Sequence, residues 1–138
     1  MPERILVRLH IVSNSLTCEE LESQIGLSPS RFMRKGDLIP PTLLVHKSNV
    51  WELGSGLQET APIQDQLEAL FSRIKPVAER IAALSDVAEI LVSCVIYCTS
   101  QPDLYVEPEL IRKIGHIGAG LDFDVYWTEP GPKEAEED

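Results

Sequence analysis

The sequence has few cysteines and no clustered metal ligands. Its three cysteines, Cys18, Cys94 and Cys98, form no Cys-x-x-Cys pair, so we expect neither a disulfide framework nor a zinc site. Cys94 and Cys98 lie in an apolar run, where a thiol usually packs as a small hydrophobic side chain. The histidines lack metal-ligand spacing, although His10 and His46 are placed to meet across adjacent strands. We therefore predict no metal and no cofactor.

The chain also lacks long apolar runs and basic runs. No apolar stretch reaches the length of a signal peptide or a membrane span, so we expect a cytoplasmic protein without membrane contact. The formal net charge of -10 repels phosphate backbones, and no basic stripe offsets it. Nucleic acids are therefore not expected partners, whereas a basic protein would be attracted. The same acidic excess also serves simply to keep a protein dispersed.

A catalytic constellation is missing as well. No serine sits in a Gly-x-Ser-x-Gly turn, and Cys18 is followed by two glutamates that disfavour a thiolate. Asp122 and Asp124 share one strand face, but a metal or acid-base role would need further converging ligands, and only His116 is near in sequence. We interpret the two aspartates as solvent-facing and predict no catalytic residue.

What is present is the apolar fraction of an ordinary globular domain, 43% of 138 residues. The pattern predicts one domain over residues 1–129 and an acidic disordered tail over 130–138. Its first half predicts a strand at 5–12, a helix opened by the capping box of Thr17 and Glu20 and closed at Gly26, a loop at 27–41, and two short strands within 42–53.

The second half contains the longest helical pattern. It predicts a helix from the N-cap Thr60 to Leu84 that bends at Pro76, a strand at 90–98, a helix beginning at Pro108, and a strand at 121–127. This order predicts an α+β fold, a two-layer sandwich of about three helices on a four- to five-stranded sheet, mixed or antiparallel. A ferredoxin-like, split βαβ arrangement is one candidate. Trp127, on an apolar strand face, is expected in the core.

The densest group of basic residues suggests a binding loop. Arg31, Arg34 and Lys35 precede Gly36 and Asp37, and arginine forks with a lysine beside them would suit a carboxylate or phosphate. The alternative is internal pairing with Glu19, Glu22 or Asp37 that pins the loop to the domain. Trp51 completes the candidate ligand residues, although a tryptophan on an apolar strand face is typical of a core.

Three segments carry a resemblance to a known family. They are Gly26-Leu27-Ser28-Pro29-Ser30-Arg31, Arg34-Lys35-Gly36-Asp37 and Asn49-Val50-Trp51-Glu52-Leu53. In these segments and their spacing the chain resembles a bacterial family known as domain of unknown function 4279, and the resemblance extends to a final helix and strand at 118–126. It implies a small bacterial cytoplasmic α/β domain without an assigned reaction, cofactor or catalytic residue.

Two functional hypotheses follow, with a third about assembly. The first is a non-enzymatic protein-binding module, comparable to small antitoxin or immunity proteins, whose acidic surface attracts a basic partner. The alternative is a small-molecule or anion-binding domain, or an enzyme, that uses the loop from Arg31 to Asp37. The third is self-association through a sheet edge or the apolar face around Trp127, so both a monomer and a homodimer remain open.

Overall fold

The computed structural model describes residues 3–128, and the tail predicted over 130–138 lies outside them. The strands are β1 (Arg4–Ser13), β2 (Arg31–Met33), β3 (Asn49–Gly54), β4 (Glu89–Cys98) and β5 (Gly120–Trp127). The helices are α1 (Cys18–Ile25), α2 (Ile63–Ile74), α3 (Ala78–Ala82) and α4 (Pro108–His116). A 3₁₀ turn, Lys75–Val77, joins α2 to α3, so these two form one bent helix.

The strands form one open, mixed sheet in the order β2-β3-β1-β4-β5. β1 is antiparallel to both of its neighbours, β2 is antiparallel to β3, and β5 is parallel to β4. The crossover through α1 joins two strands that flank β3, and the crossover through the bent helix joins two strands that flank β1. This is the predicted split βαβ, ferredoxin-like arrangement. Helix α4 then adds β5 as a parallel strand at one edge.

The helices cover one face of the sheet, which confirms the predicted α+β sandwich. Side chains of β1 alternate strictly between buried and half-buried, as the period of a strand with one covered face requires. On the covered face they meet apolar side chains of the helices. The largest fully buried side chains include Leu9, Ile11, Leu21, Ile25, Trp51, Leu53, Leu67, Leu70, Ile74, Ile81, Ile96 and Ile117.

Local signals in the sequence placed three helical features correctly. The hydroxyl of Thr17 accepts from the amide of Glu20, whose carboxylate accepts from the amide of Thr17, so the capping box is present. Gly26 ends α1 with a φ of 80°, a conformation that favours glycine because it has no Cβ. The bend at Pro76 is also confirmed, since a proline lacks the amide proton that a continuous helix needs.

Other boundaries were wrong. Residues 27–41, predicted as a loop, contain β2, which is too short to show alternation and is defined by its pairing with β3. Residues 42–53 contain β3 alone, because 42–48 belong to a projecting loop instead of a second strand. The N-cap of the long helix is Pro62 and not Thr60, since the first helical hydrogen bond runs from the amide of Gln66 to the carbonyl of Pro62.

A buried glutamine joins the longest helix to the central strand. β3 ends at Gly54, so it leaves part of the edge of β1 without a strand neighbour on that side. The side chain of Gln66, 1% exposed, occupies the position of the missing strand. Nε2 of Gln66 donates to the carbonyl of Ile5 at 2.7 Å, and Oε1 accepts from the amide of Val7 at 3.3 Å. The side-chain amide of Gln66 also donates to the carbonyl of Ala61 and accepts from the hydroxyl of Ser55. All four hydrogen-bonding positions of the side chain are thus used.

We predict that Gln66→Leu lowers the free energy of unfolding by at least about 2 kcal/mol, because it leaves several buried backbone and hydroxyl groups without partners. The control is Gln24→Leu on the exposed side of α1, which should change the free energy by less than about 0.5 kcal/mol. Urea unfolding of both variants measures the difference. Equal effects of the two substitutions would show that Gln66 does not support the strand.

Candidate functional site

A charged cluster lies on the open face of the sheet, opposite the helices. Glu52 on β3 stands between Arg31 on β2 and His10 on β1 in one cross-strand row. Nε2 of His10 donates to Oε1 of Glu52 at 2.8 Å, and Nε of Arg31 donates to Oε2 at 2.9 Å. Only 7% of the Glu52 side chain is exposed. The prediction that His10 meets His46 was wrong, because β3 begins after His46 and aligns Glu52 with His10 instead.

The partners of Glu52 determine its ionisation. Burial by itself raises the pKa of a carboxyl, but the hydrogen bond from His10 and the positive charge of Arg31 outweigh burial here. They hold the pKa of Glu52 below its ordinary value of 4.5. The cluster is therefore a charged cross-link that connects three neighbouring strands, with both carboxylate oxygens occupied.

The basic residues predicted to form an anion site pair within the chain. Arg31 faces Glu52 on the open face, whereas Arg34 binds Glu19 on α1, with 2.6 Å between Nη2 and Oε2. The hydrogen bond with Arg34 lowers the pKa of Glu19. Lys35 is exposed and joins neither pair. Internal pairing with one of the predicted acids thus describes Arg34, whereas Arg31 pairs with Glu52, which was not among them. An anion site at this loop stays a prediction.

The other two candidate ligand residues have structural partners. The carbonyl of Asp37 accepts from the amide of His46 at 2.9 Å. Trp51 is 0% exposed, and its indole N–H donates to the carbonyl of Leu27 at 3.1 Å. Trp51 is therefore enclosed in the core and is not accessible to a ligand in this conformation.

The two most exposed large apolar side chains within residues 3–128, those of Leu43 and Leu44, lie on a projecting hairpin-like loop, residues 36–46, which we call the apolar arm. Leu43 is 92% exposed, Leu44 68% and Leu38 58%. Backbone hydrogen bonds hold the two sides together: the amide of Gly36 donates to His46, that of His46 to Asp37, and that of Ile39 to Leu44, all at 2.8–2.9 Å. The arm begins at Gly36, whose φ of 93° is a conformation that few other residues adopt.

Sequence analysis missed the arm although a signal was present. The apolar residues 43–45 follow Pro40, Pro41 and Thr42, and the strand-like composition of residues 42–53 predicted a short strand there. Propensity reports how well a side chain suits a pleated surface and not whether a second layer covers it. The contacts that decide burial are absent here, so the same residues project into solvent.

A second exposed surface is the edge strand β5. Trp127 is 63% and Tyr126 53% exposed, and Phe123 and Val125 are each more than one-third exposed. The expectation that Trp127 lies in the core was wrong: it aligns with Cys98 of β4 and points to the covered side, but the helical layer does not extend over it. Asp122 and Asp124 project from the opposite side and are exposed, as predicted.

All three cysteines are buried and free. Burial raises the pKa of Cys94 to about 12, and it also raises the pKa values of Cys18 and Cys98. Within residues 3–128, no three His, Cys, Asp or Glu side chains gather so as to hold a metal ion. The helices in that span are all too short or too polar to traverse a bilayer.

We predict that Glu52→Gln lowers the free energy of unfolding at neutral pH by about 1–3 kcal/mol, because Arg31 and His10 lose the carboxylate to which they donate. Since the pKa of Glu52 is lowered in the folded protein, its stabilisation is complete above 4.5 and is lost as the pH falls below that value. The unfolding free energy of Glu52→Gln should therefore fall less steeply in acid than that of the wild type. The control is Glu89→Gln, at an exposed position of β4. The prediction would be contradicted if the free energy of unfolding fell as steeply in acid for Glu52→Gln as for the wild type.

Comparison with known proteins identifies the family and no activity. The chain matches, over residues 3–128, the model of a family described as Domain of unknown function (DUF4279). No curated protein and no solved structure matches the chain significantly. The match spans nearly the whole length, includes every helix and strand described above, and confirms the resemblance seen in the sequence. The chain belongs to the family Domain of unknown function (DUF4279).

Proposed function

We propose that this protein is a non-enzymatic protein-binding module, immunity-like in kind, which docks the apolar arm into an apolar cleft of its partner. The observation that carries the proposal is the exposure of Leu38, Leu43 and Leu44. Large contiguous apolar patches are uncommon on monomeric proteins and usually mark interaction surfaces. Transfer of these side chains from water to a cleft supplies a driving force that the free protein does not use.

The hydrogen-bonded frame of the arm supports docking without large rearrangement. The pairing of Leu38 with Val45 and the bonds between residues 36 and 46 leave the leucines on a preformed tip. A preformed contact surface loses less conformational entropy on binding than a disordered one. The arm therefore suits recognition of a matching cleft.

The charges beside the arm indicate the chemistry at the rim of that cleft. Lys35 and Lys47 flank the arm, and within residues 3–128 neither forms an ion pair. Lysines around an apolar contact favour acidic groups on the partner and accelerate association with it. The cleft is therefore an apolar one with an acidic rim, while the strongly acidic remainder of this chain repels such a rim and restricts contact with it to the arm.

The double substitution Leu43→Ser with Leu44→Ser tests the proposal. Both side chains are largely exposed, so the free energy of unfolding should change by less than about 0.5 kcal/mol for each. The matched control is Ile111→Ser on α4, which removes an exposed aliphatic side chain, 55% exposed, elsewhere. We expect a protein that immobilised wild type and Ile111→Ser retain stoichiometrically and that the double variant does not retain. Calorimetry with this purified partner should show similar affinity for wild type and Ile111→Ser and weaker affinity for the double variant.

Three outcomes would overturn this function. One is that no protein distinguishes the double variant from the control. Another is that the wild type sediments with vesicles of phosphatidylserine and phosphatidylcholine and the double variant does not, which would make the arm a lipid contact. The third is a dimer in light scattering that the double variant alone converts to a monomer, which would make a second copy the occupant.

A further inference from the structure

We infer that β5 binds an extended, basic segment of another protein, which adds to the sheet as a further strand. This surface lies at the opposite edge of the sheet from β2. It deepens the proposed protein-binding function by naming a second contact and the chemistry of its occupant. It does not depend on the arm, so the two can fail separately.

The backbone of β5 is available for pairing on one side. β5 is the last strand of the sheet and pairs only with β4 among the strands within residues 3–128. An unpaired strand edge presents a row of amide and carbonyl groups that a second chain can extend. Natural edge strands are commonly shortened, covered or interrupted by proline. β5 has eight residues and no proline.

The side chains of β5 specify what the added strand must carry. Phe123, Val125 and Trp127 point to the helical side and are 36%, 37% and 63% exposed. Asp122 and Asp124 project from the open side and are exposed. Cross-strand neighbours of opposite charge or of shared apolar character stabilise a sheet. The complement of β5 is therefore a strand that alternates basic and apolar residues.

Charge argues against a second copy of this chain as the occupant. Two β5 strands paired antiparallel around Phe123 would set Asp122 opposite Asp124, and pairing around Asp124 would set that residue opposite itself. Like charges directly opposite one another destabilise a sheet. The net charge of -10 on each copy adds a repulsion that a basic segment converts into attraction.

Aromatic packing on the open face stiffens the site. The ring of Tyr126 on β5 stacks on that of Tyr97 on β4, with 5.3 Å between centroids, and the guanidinium of Arg4 lies 4.4 Å from the Tyr97 centroid. The stack links β5 to β4 and β1 through side chains in addition to the backbone. Exposed aromatic side chains such as those of Tyr126 and Trp127 are the type that most often dominates binding energy at interfaces.

The test uses synthetic peptides as long as β5 that alternate lysine with valine or glutamate with valine. Binding is followed by the fluorescence of Trp127, with Trp127→Phe as the blank, and by amide hydrogen exchange. We expect the lysine peptide to bind, to protect the amides of β5, and to outcompete the glutamate peptide. Asp124→Lys should weaken binding of the lysine peptide about three- to ten-fold, because it reverses one member of a cross-strand charge pair. Asp86→Lys changes the net charge equally at an exposed loop position and should not weaken this binding.

Further measurements separate strand addition from general charge attraction. Two further lysine peptides are N-methylated at alternate residues, one at its lysines and the other at its valines. Each keeps its charge but loses the amide donors on one strand edge, so at least one of the two should not bind. Equal weakening by Asp124→Lys and Asp86→Lys, protection confined to residues outside β5, or absence of binding by the lysine peptide would each overturn the inference. Unchanged binding by the Leu43 and Leu44 double variant is expected, and it separates this site from the apolar arm.

Discussion

The hydrogen bonds of the Gln66 side-chain amide to the backbone of β1 are the contacts on which the arrangement of the two layers depends. A central strand must satisfy its amide and carbonyl groups on both sides, and β3 is too short to do so along the whole of β1. By taking the position of a neighbouring strand, Gln66 fixes α2 in translation and rotation above the sheet. The bent helix therefore lies over the middle strands, whereas none of the described helices extends over the end of β5 that carries Trp127.

Both proposed contact surfaces lie at the margins of the sheet and expose apolar side chains. The apolar arm projects from the connection between β2 and β3, and β5 lies at the other edge. Their flanking charges differ in sign, since Lys35 and Lys47 accompany the arm while Asp122 and Asp124 lie on β5. Surfaces of opposite charge at opposite edges suit two different protein segments better than one. The His10, Glu52 and Arg31 cluster between them connects strands on the open face and keeps that part of the sheet rigid.

Much of the fold was predictable because its strongest signals are local. The capping box of α1, the bend at Pro76 and the alternation of β1 follow from hydrogen bonding and side-chain period within one element. The errors concern features that depend on distant partners. β2 exists because β3 lies beside it, Glu52 is charged because of residues on two other strands, and Trp127 is exposed because no helix reaches it. Hydrophobic pattern alone does not reveal whether an apolar residue has a layer above it, so the sequence predicted a strand where the arm lies and a core position for Trp127.

The burial of every cysteine has a practical consequence for work with this protein. A thiol reacts with maleimides and similar reagents as its thiolate, and none of the three native side chains is accessible or readily ionised near neutral pH. A cysteine introduced on the surface would therefore be the fast-reacting one without prior removal of the others. Fluorophores or spin labels attached in this way, one on the arm and one beside β5, would report distances between the two edges while the natural core stays intact.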